Sequence, residues 1–515
     1  MTDRAVPTLG GLRACLILLA MSLAAHAQAN PARIRPLTDA PEALQPFLEK
    51  ARAADAIKDP LARCLAFPDL PGNQWPAGLA KAHCELAHGP RITIGKVRQL
   101  LDAKAYAELD ALYRADLEKH FAKDAPSEAI HRGFDDFDGL QESNDVTKRW
   151  LDNAPDSPFA LAARGIHHGN AAAKARGGNL ARETSDANFA RMSLLADMAI
   201  DLLEKSLKRE PRLLAAHEEL IGVASLAGRA DVGERAFNQG SAIDKHCRRL
   251  TGAQMRSLRP RWGGSYEKMA AYAVQLEPFQ KERPLLALTL AEIPSDMATW
   301  VIEHPKHKEK IEFLLPAAQR STFFGVHETL ARSMTTAEID EWTKLVYLLM
   351  VGRFFDDDRW ITREKGRTLL YSGQAEWSLP ALEKAARMEA SDSGVRSMLA
   401  HAYFELQRWP EAEKAYAALL DFKETREEGL RGAFEVTMRL ARHAKALEYA
   451  ELLNKEHPSY AFAWFMRAWL LDKVGKRAGI YEALEKYVSL ADPANPEEAR
   501  PLAEAKRILA ARKKK

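Results

Sequence analysis

The sequence predicts an all-α chain of stacked helical hairpins, a superhelix in two segments with a small disulfide-clamped N-terminal region. Three observations predict it. Apolar residues recur at helical spacing almost throughout, while β-branched alternation never outlasts a few residues, Arg91-Ile92-Thr93-Ile94 being the best case. A 34-residue period runs through the C-terminal third, with small or apolar residues at Gly366, Ala400, Phe434 and Ala468. Two cysteines, Cys64 and Cys84, bracket a stretch punctuated by Pro68, Pro71, Gly72 and Pro76.

Composition sets the outer bounds. The chain has 515 residues, enough for roughly three domains or one long array. It is 47% hydrophobic and 28% charged, which excludes disordered and fibrous chains. Lys+Arg 74 against Asp+Glu 71 leaves only +3, so no net field draws the protein to nucleic acid.

Residues 1–29 read as a secretory signal peptide. Arg4 and Arg13 form a basic start, Ala14 to Ala25 an apolar run, and Ala25-His26-Ala27 and Ala27-Gln28-Ala29 small-residue cleavage patterns. The apolar run is about 12 residues where a span needs about 20, so no membrane span is expected. The mature chain is expected to be periplasmic or secreted, in a Gram-negative bacterium.

Export permits disulfides. The 30–90 region is expected to be clamped by a Cys64–Cys84 bond, since an irregular loop of about 20 residues gains roughly 3 kcal/mol from closure. Cys247 is left as a lone buried thiol.

Residues 91–285 read as a helical domain with degenerate hairpins. Trp150 leads to Pro155, Leu161 and Gly165; Ala199 to Ser206 leads to Pro211, His217, Leu220 and Ala224. Ala171–Met192, with Gly177-Gly178, interrupts that period as an insertion lengthening one hairpin. Residues 286–358 lack a clean period and read as a helical connector. Its end, Phe355-Asp356-Asp357-Asp358, suits a helix N-terminus, where acidic groups favour the dipole.

Residues 359–495 carry the repeats, and 496–515 a capping helix and basic tail. The second unit reads Leu399-Ala400, Tyr403, Ala412, Tyr416, Leu419; the third Leu430, Phe434, Ala446, Ala450, Leu453, Pro458; the fourth Trp464, Ala468, Leu471, Leu484, Tyr487. Small residues let paired helices close, and proline ends the hairpin. One hairpin cannot bury its own apolar face, so units must stack. This pattern resembles tetratricopeptide repeats, with Ser378 replacing the usual Ala in the first unit. Separately, Val97 to Gln275 resembles an uncharacterised domain of exported bacterial proteins, through Leu109-Asp110-Ala111-Leu112-Tyr113, Ala160 to Gly165 and Pro260 to Ser265. That resemblance implies a helical fold and supplies no functional residue.

The tetratricopeptide resemblance implies a concave groove lined by the first helix of each unit. Its second, fifth, ninth, twelfth and thirteenth positions supply Trp360, Arg363, Arg367, His401, Phe404, Arg431, Arg439, Phe465, Trp469 and Lys473 as candidate binding residues. Arginine and aromatic side chains are enriched at protein interfaces. The asparagines of the carboxylate-clamp variety are absent. The alternative is that these aromatics pack against the chain itself.

Catalytic patterns are weighed and set aside. Ser265-Tyr266-Glu267-Lys268 spells S-x-x-K, but no K-[ST]-G accompanies it, and Ser265 suits a helix cap after Gly263-Gly264. Gly89 to Lys96 has the wrong spacing for a phosphate loop, with Val97 where Ser or Thr belongs. His167-His168 and His304/His307 lack ligand geometry, and Asp135 to Asp138 lacks calcium-loop spacing. The expectation is a non-enzymatic interaction scaffold with no cofactor and no metal, binding a protein or peptide partner. The alternatives are a cell-wall or peptide-acting envelope enzyme with its site in the non-repeat helices, and a self-associating homo-oligomer.

Overall fold

The computed structural model describes residues 35–122, 128–178, 181–302, 306–355 and 358–513. The signal-peptide reading, His304, Asp356 and Asp357, and the last two lysines lie outside those residues. Among the described residues every regular element is a helix, and none is long and apolar enough to cross a membrane. Two compact units emerge: residues 46–356, and residues 357–515 with the first 45.

The C-terminal unit is four hairpins and a terminal helix. Arg359–Tyr371 pairs with Ala375–Met388, Ser393–Glu405 with Trp409–Ala418, Arg426–Arg439 with His443–Glu456, and Ala461–Lys473 with Ile480–Leu490; Pro496–Lys513 follows. The 34-residue spacing seen in the sequence is this hairpin repeat. The first helices of units one and two are capped by side chains: Asp358 and Asp392 accept hydrogen bonds from the amides of Ile361 (2.8 Å) and Val395 (3.0 Å). The hairpin turns need a left-handed residue, and it falls at Gly373, Gln407, Ala441 and Gly475 in the four units. Inside the first hairpin, a Cβ on Gly366 would come 2.7 Å from Leu382, so helix contact there depends on glycine. Ser378, the departure from the repeat pattern, is buried and donates to the Ala375 carbonyl at 2.7 Å, so its hydroxyl costs no unmet hydrogen bond. Arg35, from the N-terminal stretch of this unit, bonds both ways with the first turn: its amide donates to Gly373 O (3.0 Å) and its carbonyl accepts from Gln374 Nε2 (2.6 Å).

The N-terminal unit centres on fully buried Trp150, Tyr113, Phe159 and Phe137. The helices Pro158–Arg176 and Asp186–Arg209 form a long hairpin around the Gly177 turn, which is the insertion expected at 171–192. Gly165 lets Leu203 close on the first of these helices: a Cβ there would sit 2.7 Å from its side chain.

Cys64 and Cys84 form the expected disulfide, joining the helices Pro60–Ala66 and Leu79–His88 with Cα atoms 5.6 Å apart. Cys247 is free and buried. The clamp is seated on helices from the 286–358 stretch, His307–Arg320 and Glu341–Phe354. Trp75 Nε1 donates to Ala318 O (3.0 Å), Gln74 N to Gln319 O (2.6 Å), and His83 Nδ1 lies 2.8 Å from Thr322 Oγ1. Arg353 anchors the other side, donating to Cys64 O (3.0 Å), Pro68 O (3.3 Å) and Asp69 Oδ1 (2.8 Å).

Candidate functional site

The face made by the first helices of the array is where the sequence places its binding residues. Consecutive first helices pack on each other from Arg359–Tyr371 through Arg426–Arg439, so their equivalent positions fall in rows. Polar side chains in those rows are largely matched. Arg363 is exposed, with Nε 3.5 Å from Asp392 Oδ2 at the start of the next unit. Arg367 grips Glu364 through Nε (3.0 Å) and Nη2 (2.7 Å) and covers the Tyr371 ring. Trp360 is half-buried.

The middle of the array carries the densest lattice. His401 Nε2 lies 2.9 Å from Glu428 Oε1, and Ser397 donates to the same oxygen. Burial pushes the Glu428 carboxyl up, but hydrogen bonds from His401 and Ser397 overcome it and hold it below its usual range. Phe404 stands edge-on to Trp409, ring centroids 5.3 Å apart. The exposed Arg439 guanidinium lies 5.5 Å over Phe404 and 5.2 Å over Trp409 while pairing with Glu435 at 2.9 Å. Arg431 lies 4.2 Å over the Tyr460 ring and pairs with Glu427 at 2.6 Å.

The fourth unit behaves differently. Phe465 is only 2% exposed and packs on Tyr487 of its own hairpin, centroids 5.1 Å apart. Trp469 is 6% exposed, edge-on to His443, with the exposed Lys473 ammonium 5.2 Å over its ring. For these two aromatics the packing role is the one the structure gives.

The structure thus brings His401, Phe404, Arg431 and Arg439 together with Glu435, the ninth, inward position of the third unit, and with three partners the sequence reading did not single out: Glu428, Trp409 and Tyr460. Glu428 was accessible in principle, because it occupies the second position of the third unit. Trp409 and Tyr460 lie at the edges of the hairpins, outside the inward positions, and no period marks them.

Elsewhere the structure offers less chemistry. Ser265 accepts the amide hydrogen of Lys268 at 3.2 Å and caps Tyr266–Leu276. His167 and His168 are buried, His167 against Ser143 Oγ at 2.7 Å, and burial first, then Arg164, pulls both to about 4. Among the described residues no three His, Cys, Asp or Glu side chains stand where they could hold a metal ion. A cleft of about 610 Å³ in the N-terminal unit is lined by Leu207, Pro211, Leu220 and Ile243, with Lys208 and Arg235, and none of the expected binding residues reaches it.

No curated protein matches the sequence. Among solved structures, the tetratricopeptide-repeat domain of P58(IPK) is 11% identical, with a TM-score of 0.23 over 62% of this chain and 95% of that one. Yeast Tom70 is also 11% identical, with a TM-score of 0.26 over 81% of this chain and 94% of that one. Likenesses of that size assign no partner. The hairpin array is tetratricopeptide-like in its own geometry, and residues 93–231 match the family model described as a domain of unknown function, DUF4034.

Proposed function

We propose that the protein is an exported, non-enzymatic scaffold that holds a protein or peptide segment, carrying acidic and apolar groups, in the groove of its C-terminal array. The observation that carries this reading is the Phe404–Trp409–Arg439 lattice, an exposed guanidinium laid across two aromatic rings. Such a surface offers apolar area and a cation together, the combination that dominates binding hot spots. Arg367, Arg431 and Arg439 already have carboxylate partners on their own helices, so an incoming acidic group exchanges one ion pair for another. Apolar contact then supplies most of the affinity, and charge sets register and salt dependence.

The test is the double variant Arg367→Glu/Arg431→Glu, compared with the native protein in quantitative co-purification from envelope extract. Charge reversal at two hot-spot positions should weaken capture by more than about tenfold. A thermal melt matching the native protein checks that the array is intact. Unchanged capture by a folded double variant would remove the groove from the account.

A further inference from the structure

The cleft of about 610 Å³ belongs to the N-terminal unit, and the array reading does not use it. Three helices build it. Leu214–Ala227 is its floor, where His217 and Leu220 are 2% and 3% exposed. Asp186–Arg209 and Ala230–Ile243 are its walls, lined by half-buried Leu207 and Ile243 and by exposed Ala242. Small-molecule sites are concave and mostly apolar, with volumes of about 300–1,000 Å³ and a few polar groups that fix orientation. Only the stretch 204–208 of the 24-residue helix Asp186–Arg209 faces the cleft. A helical partner laid along that wall would find one turn to hold, whereas a single flexible chain needs no more.

The charges of the lining gather at one place. Arg235 spans the two walls: it pairs with Asp231 on its own helix at 2.7 Å and sets Nη2 3.6 Å from Glu204 Oε1 on the other. Lys208 stands one helical turn beyond Glu204, on the same face of that helix. It is exposed and forms no ion pair among the described residues. His217 adds no charge at neutral pH, because burial holds its pKa below the ordinary value, and its Nε2 lies 3.0 Å from the Pro211 carbonyl oxygen. The lining therefore carries two cations to one carboxylate, beside an apolar floor. That polarity is complementary to a molecule with an apolar body and one anionic end.

We propose that the cleft binds a single-chain amphiphile with a carboxylate head. The alkyl chain lies on Leu207, Leu220 and Ile243, and the head is received by Lys208 and Arg235. Chain burial supplies most of the affinity, since every methylene taken from water contributes, and the two cations select the sign of the head and its orientation.

Calorimetric titration of the full chain with octanoate and decanoate, each kept below its micelle concentration, tests this, with decyltrimethylammonium as the cationic control. Decanoate should bind about tenfold more tightly than octanoate, the effect of two further methylenes leaving water. The cationic amphiphile should bind at least about tenfold more weakly than decanoate. Lys208→Glu should weaken decanoate by at least about tenfold, the loss of one charge-assisted contact. Ala242→Trp places an indole in the cleft and should weaken it by at least as much. Both positions are exposed, so both variants should melt with the native protein. If Ala242→Trp fails to fold, Gln239→Trp, exposed on the same wall, takes its place. No binding of decanoate to the native protein, equal affinity for the cationic amphiphile, or unchanged affinity in a folded Lys208→Glu or cleft-filling variant would overturn the site.

Discussion

Replacing Arg353 by alanine should lower the stability of the N-terminal unit by about 3–5 kcal/mol, the range for breaking one side of a buried charged network. The side chain is 4% exposed and reaches the clamp from the helix Glu341–Phe354. Its Nε and Nη1 satisfy the carbonyls of Cys64 and Pro68, and Nη1 also holds Asp69. Its own carbonyl accepts from His88 Nε2 at 2.8 Å, and its guanidinium lies 5.0 Å over Phe354. Alanine leaves two main-chain acceptors beside the disulfide without donors. Asp69 is half exposed and rehydrates, so the two carbonyls carry most of the cost. Urea unfolding followed by tryptophan fluorescence measures the change. Arg353→Lys should recover part of it, since one ammonium can reach one carbonyl but cannot span three acceptors. A loss under about 1 kcal/mol, the worth of an exposed pair, would mean that the clamp is not seated as described.

Trp150→Ala should cost a similar amount, about 3–5 kcal/mol, by a different route. Trp150 is fully buried on the helix Gln141–Asn153, with Tyr113 5.1 Å away and Phe159 beyond it. Removing the indole deletes the largest side chain of this core and leaves a cavity walled by rigid rings that cannot collapse into it. Trp150→Phe keeps most of the volume and should lose less than half as much. Equilibrium denaturation of both variants checks the ranking. Equal losses would show that the cost lies elsewhere than in volume.

The helical architecture was legible because its cause is periodic. One register of 34 residues placed the first helices of the array, and Gly366, Ala400 and Ala412 marked where helices touch. The turns were only half legible. Gly373 and Gly475 announce a left-handed backbone, but Gln407 and Ala441 adopt the same conformation without any such signal, because stacking on both sides imposes it on residues that resist it alone. The disulfide followed from local composition. The seat of the clamp did not, since Arg353 and Cys64 are joined by packing across 289 positions and nothing in either neighbourhood names the other. The register placed the candidate residues on the first helices of the hairpins, and it did not give their depth. Phe465 and Trp469 occupy inward positions by register, yet Phe465 packs on Tyr487 of its own hairpin and Trp469 on His443 of the third. Charge matching was legible within a helix, since Glu435 stands one turn before Arg439, but not between units, where His401 meets Glu428 with no local spacing to mark the pair.

The most direct test of the scaffold reading is site-specific photo-crosslinking in the intact cell. A photoreactive phenylalanine analogue in place of Phe404 samples the first-helix face, and the same analogue in place of the exposed Glu448, on the helix His443–Glu456, samples a second helix. Covalent capture of a discrete partner from position 404, reduced by Arg367→Glu/Arg431→Glu and lacking at 448, is the result expected. Equal labelling from both positions, or labelling from 448 alone, would contradict a partner held in the groove.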